Sequence, residues 1–597
     1  MNVTERVAEL RKLMAEKNID AYIVPSADFH QGEYVGEYFK ARAYISGFTG
    51  SSGTVVVMKD DAGLWTDGRY FIQAAEQLEG SPVSLYKMGQ EGVPTVEEYL
   101  LANVPQNGTL GFDGRLMSAG EGRDLAAKLA IKGAKVEYRY DLIDAFWEDR
   151  PALSEEKAFL FSEKYCGESF SSKLGRVREE IKKQGATYHV ITTLDDIAWL
   201  FNIRGGDVKY NPVVLSYAIV TDKEVYLFID ENKLNDELKA EFAKEKVQIK
   251  PYNDIYEFVK TVGKDEVVLL DAKKVNYAIF NNIPEEAVKI EDFNPVMFFK
   301  SIKNEVELAN ERNAQIKDGV ALTKFMYWLK KNVGTEKITE ISADEKLTEF
   351  RKQQEGFVDL SFDTIAGYKE HAAMMHYSAT PESDYELKPD GMLLVDSGAQ
   401  FMEGTTDITR TFVLGPISDE IKHDYTSVLR GMVSLSKVKF LYGCRGYNLD
   451  ILARGPMWQQ GIDYQCGTGH GIGFFLNVHE NPNGFRWNIR PGVFDTAVIE
   501  PGTITTNEPG IYIEGSHGIR IENELLARKA EKNFYGQFLD FEVITFVPID
   551  LDAVVPEIMT QEEKDYLNWY HSEVFNKISP FLDEDEKTWL KEYTRAI

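Results

Sequence analysis

Acidic residues inside apolar, β-branched stretches constrain the fold of this chain more than any other feature. Asp396 stands in the run LLVDSGAQ and Asp407 in TTDITRTFV, and the two runs are typical of strands joined by a short polar loop. A four-residue loop at 400–403 would place the two aspartates directly opposite each other. Like charges in that arrangement repel and destabilise the strand pair unless a cation lies between them.

Two glutamates repeat this arrangement further along the chain. Glu508 in ITTNEPGIYI and Glu522 in GIRIENELL flank turn residues 515–518, and His470 stands between the two acidic pairs in CGTGHGIG. A single aspartate at a strand end is more often a turn cap, and a single histidine in a Gly-rich stretch is more often a loop residue. Four carboxylates, however, carry about the charge that two divalent ions neutralise, and this donor set suits Mn²⁺, Co²⁺ or Zn²⁺. The combination predicts a metal site.

Charge and hydropathy exclude several classes of partner. The formal net charge is −29, which argues against a nucleic-acid partner because such proteins present a basic face. No stretch is apolar over the length that spans a bilayer, and the first residues indicate an amphipathic helix rather than a signal peptide. Three scattered cysteines, Cys166, Cys444 and Cys466, do not suggest a disulfide framework. We therefore expect no membrane contact and a reducing, cytoplasmic location.

Length and an internal similarity predict three domains of mixed helix and strand. A single core seldom exceeds about 250–300 residues, and this chain has 597. The order of helix, strand, Gly-rich turn and paired strands in the first part of the chain returns after residue 174. We predict two related α/β domains at 1–152 and 153–300, followed by a third domain at 301–597. The third contains every candidate ligand, so we expect the chemistry there and an accessory role for the other two.

Several motifs, in a fixed order, resemble those of one enzyme family. DSGAQ, TTDITRT, GTGHG with NVHE, NEPG and GIRIEN are similar to motifs of the metal-dependent peptidases of the pita-bread fold, which include methionine aminopeptidase, prolidase and aminopeptidase P (Xaa-Pro aminopeptidase). Segments of the first two domains, among them DAYIVPSADFH, LWTDGRYF and IAWLFNIRGGD, resemble aminopeptidase P in its long, three-domain form. The resemblance implies an α/β (α+β) chain with two tandem creatinase-like domains before a catalytic pita-bread domain.

The resemblance also implies a dinuclear metal centre and hydrolysis by a metal-activated water. The ligands would be Asp396, Asp407, His470, Glu508 and Glu522. The family ion is usually Mn²⁺, with Zn²⁺ or Co²⁺ as alternatives. The matches of Asp407 and Glu522 bridge the two ions, and the match of Glu508 acts as general base and proton shuttle.

Further residues match the substrate site of the family. His376 in MMHYS and His479 in NVHE would be catalytic, by hydrogen-bonding the substrate carbonyl or by passing a proton to the leaving nitrogen, and with His470 they would contact substrate. Arg69 in WTDGRYF matches a residue that reaches the substrate from the first domain across a dimer. Arg520 shares a strand face with a glutamate ligand and would clamp a ligand carboxylate, or else form a surface salt bridge.

The sequence departs from the family pattern in two places. Cys466 stands where the family often has histidine, at a position associated with the pocket for the residue after the scissile bond. A thiol cannot become an imidazolium, so Cys466 either alters proline preference or is a buried filler beside the ligands. Lys369, Glu370 and His371 stand where the family is commonly Gly- and Pro-rich, and the sequence offers no reason for them.

Three functions are compatible with these motifs. The favoured one is an aminopeptidase that removes the first residue from peptides with proline second, because the Xaa-Pro bond is a tertiary amide that general peptidases handle poorly. A prolidase or broader aminopeptidase on the same scaffold would differ in the length of its substrates. A non-catalytic, peptide-binding pita-bread protein is disfavoured because all five ligands are retained. Xaa-Pro peptides and a second copy of the chain, in a homodimer, are the expected partners.

Overall fold

The computed structural model describes residues 1–489 and 497–597, which form two compact units. The first unit contains Met1–Phe161 and Glu168–Val296, and the second contains Ser162–Gly167 and Met297–Ile597. The first two predicted domains thus lie in one unit, and each unit is described by itself below. Among the described residues, no helix is both long enough and apolar enough to cross a bilayer.

Two six-stranded mixed sheets dominate the first unit. The strands of the first sheet are, in chain order, Ala21–Pro25, Thr54–Met58, Ala62–Thr66, Ser84–Lys87, Thr109–Phe112 and Lys135–Glu137. Those of the second are Tyr188–Ile191, Ser216–Thr221, Val225–Ile229, Gln248–Lys250, Val267–Leu270 and Val288–Glu291.

The two sheets have the same topology. In each, the spatial order is fourth, third, second, first, fifth, sixth. In each, the first three strands pair antiparallel and the remaining pairs are parallel. This shared order and direction confirm the internal similarity predicted from the sequence.

Amphipathic helices cover these sheets. The main helices of the unit are Val3–Glu16, Ala41–Ser46, Phe71–Gln77, Val96–Asn103, Ala119–Ala130, Phe170–Lys183, Leu194–Leu200, Asp236–Lys244, Ile255–Phe258 and Tyr277–Asn282. In the first, Val7, Leu10 and Met14 fall on one face and are buried. Asn2 and Glu5 form a capping box that satisfies the free amides at the start of this helix.

The second unit packs helices against antiparallel strands. Its main helices are Glu305–Asn332, Glu340–Lys352, Asp419–Ser436, Gly446–Trp458, Gln561–Ile578 and Glu584–Tyr593. Its strands are Phe357–Leu360, Ile365–Tyr368, Met392–Ser397, Ala399–Phe401, Gly404–Thr405, Ile408–Val413, Phe440–Leu441, Gly469–Gly471, Glu480–Phe485, Ile504–Asn507, Gly510–Ile513, His517–Arg520, Asn523–Asn533 and Gly536–Val543. All five candidate ligands lie in this unit.

The aspartate hairpin (residues 392–413) has a different register from the predicted one. Asp396 pairs with Thr409 rather than with Asp407, and strand pairing continues to a turn of only two residues, 402–403. The predicted four-residue loop is wrong because the residues before and after this turn pair with each other and satisfy their backbone groups. Asp407 is two residues before the partner of Asp396, so both side chains still project from one face of the pair.

The glutamate hairpin (residues 504–533) has the predicted arrangement of its acidic residues. Asn507 pairs with Asn523 and Gly510 pairs with Arg520, in one register that sets Glu508 across from Glu522. The turn itself is 514–516, not 515–518, because the strand that starts at His517 has already begun to pair.

Candidate metal centre

All five predicted ligands converge at one place in the second unit. One carboxylate oxygen from each of Asp396, Asp407 and Glu522 lies within 4.8 Å of the other two. The Nε2 atom of His470 lies 3.3 Å from Oδ2 of Asp407 and 3.4 Å from Oε1 of Glu508. Four carboxylates and one imidazole from three hairpins therefore face a common point.

Strand alternation explains why Asp396 faces the centre. Its strand, Met392–Ser397, lies between two others and is buried along its whole length. Leu393 and Val395 pack into one apolar cluster with Phe325 of helix Glu305–Asn332. Residues that alternate with them must point to the opposite side of the sheet, and Asp396 is one of these.

Hydrogen bonds join the aspartate and glutamate hairpins. The backbone amide of Glu522 donates to the carbonyl of Thr409 over 3.1 Å, and the Thr409 hydroxyl donates to the Glu522 carboxylate over 2.7 Å. The amide of Asp407 donates to Oε1 of Glu524 over 2.8 Å. These bonds hold the two hairpins together, so their two pairs of carboxylates lie close to each other.

The centre concentrates negative charge in a buried site. The pKa of Asp396 is raised to about 6, chiefly by burial; the charge of Arg520 lowers it, and the charges of Asp407 and Glu508 raise it. Burial, followed by the charges of Asp407 and Glu508, raises the pKa of Glu522 well above its usual range. Within the described part of the chain, Oδ1 of Asp396 and Oε1 of Glu522 are buried and have no hydrogen-bond partner. Such oxygens are costly unless they bind a cation or keep a proton.

The negative charge of the centre also shifts the pKa of His470. Burial lowers its pKa, but the hydrogen bond to Asp407 and the charge of Glu508 outweigh that effect and raise the pKa to about 9. Its Nδ1 lies 2.9 Å from the carbonyl oxygen of Gly471, a contact that favours a proton on Nδ1 and leaves Nε2 directed at the carboxylates.

Arg520 is a buried partner of the centre and not a surface residue. It is 4% exposed, and its Nη2 donates to Oδ2 of Asp396 over 2.5 Å. The same guanidinium donates to the hydroxyl of Tyr512 over 2.6 Å and to Oγ1 of Thr409 over 3.1 Å. The alternative of a surface salt bridge is therefore wrong.

The hairpin that carries His470 also brings His479 to the centre. The two imidazole rings are 4.2 Å apart between centroids, in an edge-to-face arrangement. The next residue, Glu480, is buried and accepts a hydrogen bond from Lys300 over 2.8 Å and another from Lys303. Burial opposes ionisation of Glu480, but the two lysines lower its pKa overall.

The other predicted residues lie in different surroundings. His376 is exposed and precedes the buried Tyr377. The thiol of Cys466 is half-buried against an apolar cluster of the second unit. Burial, followed by the nearby charge of Glu508, raises its pKa to about 11. Arg69 belongs to the first unit, where its guanidinium pairs with Asp67 over 2.7 Å.

Known family models match nearly the whole chain. Models of the creatinase/prolidase N-terminal domain match residues 6–143 and 149–307. The model of metallopeptidase family M24 matches 309–529, and that of the C-terminal region of this peptidase matches 537–597. Two creatinase N-terminal domains before an M24 domain is the predicted fold class.

Individual relatives identify the branch of this family. The chain is 38% identical to Xaa-Pro aminopeptidase 1 of Dictyostelium discoideum, covering all of this chain and 97% of that protein. It is 38% identical to the probable Xaa-Pro aminopeptidase P of Talaromyces marneffei, covering all of this chain and 93% of that one. The chain belongs to the Xaa-Pro aminopeptidase P family. It is therefore a metallopeptidase of family M24, a hydrolase that acts on peptides.

A solved structure agrees with this assignment. The X-prolyl aminopeptidase of Caenorhabditis elegans, described as a cytosolic enzyme with a di-nuclear active site, superposes with a TM-score of 0.94 and 35% identity. Each chain is covered completely.

In this Xaa-Pro aminopeptidase P family member, the sequence interpretation missed two buried charged residues that hold the predicted ligands in place. The Arg410 guanidinium donates to the carbonyl oxygen of Glu522, to Asn523 Oδ1 over 2.8 Å and to Tyr570 Oη over 2.8 Å. Glu524, described above, holds the Asp407 amide. Arg410 stands in a fully buried strand and Glu524 in the buried first half of its strand, and a charge at such a position is the signal that could have identified them.

Proposed function

We propose that this protein removes the N-terminal residue from peptides whose second residue is proline, with two divalent metal ions bound by Asp396, Asp407, His470, Glu508 and Glu522. The observation that carries the proposal is the convergence of these five side chains on one buried point. The di-nuclear active site of the C. elegans relative supports the number of ions.

The residues present fit a pair of divalent ions. Four carboxylates balance the charge of two such ions. Among the described residues, one buried oxygen of Asp396 and one of Glu522 have no hydrogen-bond partner, and a bound ion would satisfy both. Oxygen donors with one imidazole suit Mn²⁺, which we propose as the working ion, and also Zn²⁺ or Co²⁺. When bound, the ions would lower the pKa of a water molecule and polarise the scissile carbonyl.

The chain's own residues would orient substrate and move protons. Glu508 Oε1 accepts a hydrogen bond from Thr506 over 3.1 Å, which holds its carboxylate where it can take a proton from the attacking water. His479 stands beside His470 and can donate a hydrogen bond to the carbonyl oxygen as negative charge develops there. His376 would supply a second donor. Arg520 would fix the Asp396 carboxylate, and Arg69 would contact the substrate from a partner subunit.

Substrate length tests this function against a prolidase. After EDTA treatment and addition of Mn²⁺, we expect cleavage of Arg-Pro-Pro, weak cleavage of Arg-Ala-Ala and weaker cleavage of Arg-Pro. A prolidase would instead prefer the dipeptide, because it binds the free carboxylate next to proline. Activity of the EDTA-treated protein without added metal would contradict the metal dependence.

We further propose a cytosolic homodimer. The cytosolic C. elegans relative supports the location. Sedimentation velocity at micromolar concentration should give a mass of twice 67.8 kDa, and a single species of 67.8 kDa would contradict the dimer.

A further inference from the structure

The structure gives partners to residues 369–371, which lie shortly before His376 and which the family resemblance left unexplained. The Nζ atom of Lys369 lies 2.7 Å from Oδ2 of Asp390. The hydroxyl of Tyr385 donates to Oε1 of Glu370 over 3.2 Å. These two contacts tie the segment before His376 to the segment that follows it.

The third residue, His371, belongs to a hydrogen-bond network centred on Glu340. Glu340 is 0% exposed and begins the helix Glu340–Lys352. Its four donors are the Tyr368 amide at 2.7 Å, His371 Nδ1 at 2.9 Å, the Tyr377 hydroxyl at 2.9 Å and the Tyr385 amide at 3.0 Å. One carboxylate therefore binds the chain on both sides of His376. A buried carboxylate with four donors is fully satisfied and rigid.

Aromatic contacts hold the His371 ring in this network. The ring lies on Tyr385, with 3.8 Å between centroids and 28° between planes. It also contacts Tyr377, with 4.4 Å between centroids. His371 thus links the residue after His376 to the segment at 385, by stacking as well as by hydrogen bonding.

The same segment lies against the wall of the metal centre. A Cβ atom on Gly518 would stand 1.8 Å from the carbonyl oxygen of Ala372, so the two backbones are in direct contact. Gly518 is in the strand His517–Arg520, whose last residue pairs with Asp396. Movement of the segment before His376 is therefore limited by an element of the centre itself.

We propose that Glu340 and His371 are positioning residues that hold His376 in place for the reaction. The proposal rests on the function proposed above, in which His376 donates to the substrate carbonyl. A donor is effective only when it is held within about 0.5 Å of its productive position, and His376 is exposed, so the residues around it must supply that order. Glu340 and His371 fix the backbone on either side of it.

Single substitutions give the first part of the test, and double substitutions with His376→Ala give the second. We expect His371→Leu, which keeps apolar bulk but removes the donor, to lower kcat by roughly 10–100-fold, since a misplacement of ~1 Å costs about that much. The metal content and KM should stay within about two-fold of the wild type. His371→Asn places an amide nitrogen near the position of Nδ1 and should recover part of kcat. Glu349→Gln, an exposed change on the helix of Glu340, is the control for Glu340→Gln.

The decisive measurement is made in the His376→Ala protein. If His371 and Glu340 act through His376, adding His371→Leu or Glu340→Gln to His376→Ala should lower kcat no further. Independent, multiplicative losses, or loss of metal from either single variant, would overturn the proposal. Full activity of His376→Ala would instead refute the role given to His376 and, with it, the positioning role of Glu340 and His371. Should His371→Leu fail to fold, Glu340→Gln completes the same cycle.

Discussion

At the scale of residues, burial and like charge act together on the carboxylates of the centre. The side chains of Asp396 and Glu522 each retain an unpartnered oxygen, and burial is the main reason that the pKa of each is raised. Without a cation the cluster is under electrostatic strain, and with one it becomes a strong ligand set.

Glu522→Gln should therefore have opposite effects on two measurements. Glutamine is neutral without taking up a proton, so it avoids the cost of burying this carboxyl group, and the melting temperature of the EDTA-treated protein should rise. The same change removes a ligand, so bound metal measured by elemental analysis should fall and turnover should be lost. Glu349→Gln, on the surface of the same unit, is the control and should change neither value. A variant that kept two ions and full turnover would refute the ligand assignment.

Cys466→His tests the one departure from the family beside the centre. If the position lines the proline pocket, the change should raise the ratio of kcat/KM for Xaa-Pro-Pro over Xaa-Ala-Pro by ~10–200-fold, the usual scale for one pocket contact. If the half-buried thiol only fills space, histidine will overpack it and the melting temperature will fall instead. An unchanged ratio would remove Cys466 from the substrate site.

At the scale of elements, the centre depends on close approach of the strands that carry its predicted ligands. Gly398 lies between Asp396 and Asp407 in sequence, and a Cβ atom there would stand 1.9 Å from the carbonyl oxygen of Thr406. Only glycine permits this approach, and a bulkier residue would push the aspartate strands apart.

Gly398→Ala should consequently weaken metal binding and lower stability. We expect a loss of about 1–3 kcal/mol in the free energy of unfolding, the range for overpacking a closed site. Gly455→Ala is the matched control, because Gly455 lies in the helix Gly446–Trp458 and, apart from its chain neighbours and the helix's own backbone, no atom of the described residues lies within 4 Å of an added Cβ. That change should stabilise the protein by up to ~1 kcal/mol. Equal effects of both substitutions on metal content would contradict the prediction.

At the scale of the whole molecule, the titration of the centre should appear in the pH dependence of stability. The pKa of Asp396 rises from 3.8 to about 6 on folding, so the folded metal-free protein binds more protons than the unfolded chain between these values. Its free energy of unfolding should therefore fall as pH rises from about 4 to 6. The pKa of His470 rises from 6.5 to about 9, and the stabilisation it provides is complete below 6.5 and lost as pH rises through 9.

Metal should reverse this trend, because it replaces the protons that the ligands would otherwise retain. We expect the difference in melting temperature between Mn²⁺-loaded and EDTA-treated protein to grow from pH 5 to pH 8. In His470→Gln the EDTA-treated protein should lose the part of the pH slope between 6.5 and 9. If the rise in melting temperature on metal binding were independent of pH, protons and metal would not compete for these side chains.

The sequence alone predicted the five side chains that converge at the centre and the repeated α/β organisation. Charged residues inside strands have few physical explanations, and hydrophobic periodicity is local, so neither required knowledge of distant contacts. Tertiary structure alone decided the register of the aspartate hairpin, because the predicted and observed registers differ by two residues and place the same side chains on each face, so the hydrophobic pattern does not distinguish them. It also decided the buried position of Arg520 and the partners of His371, since the residues they contact, Asp396 and Glu340, are 124 and 31 positions away in the chain. Contacts of that kind follow from packing of the whole unit, which no local pattern encodes.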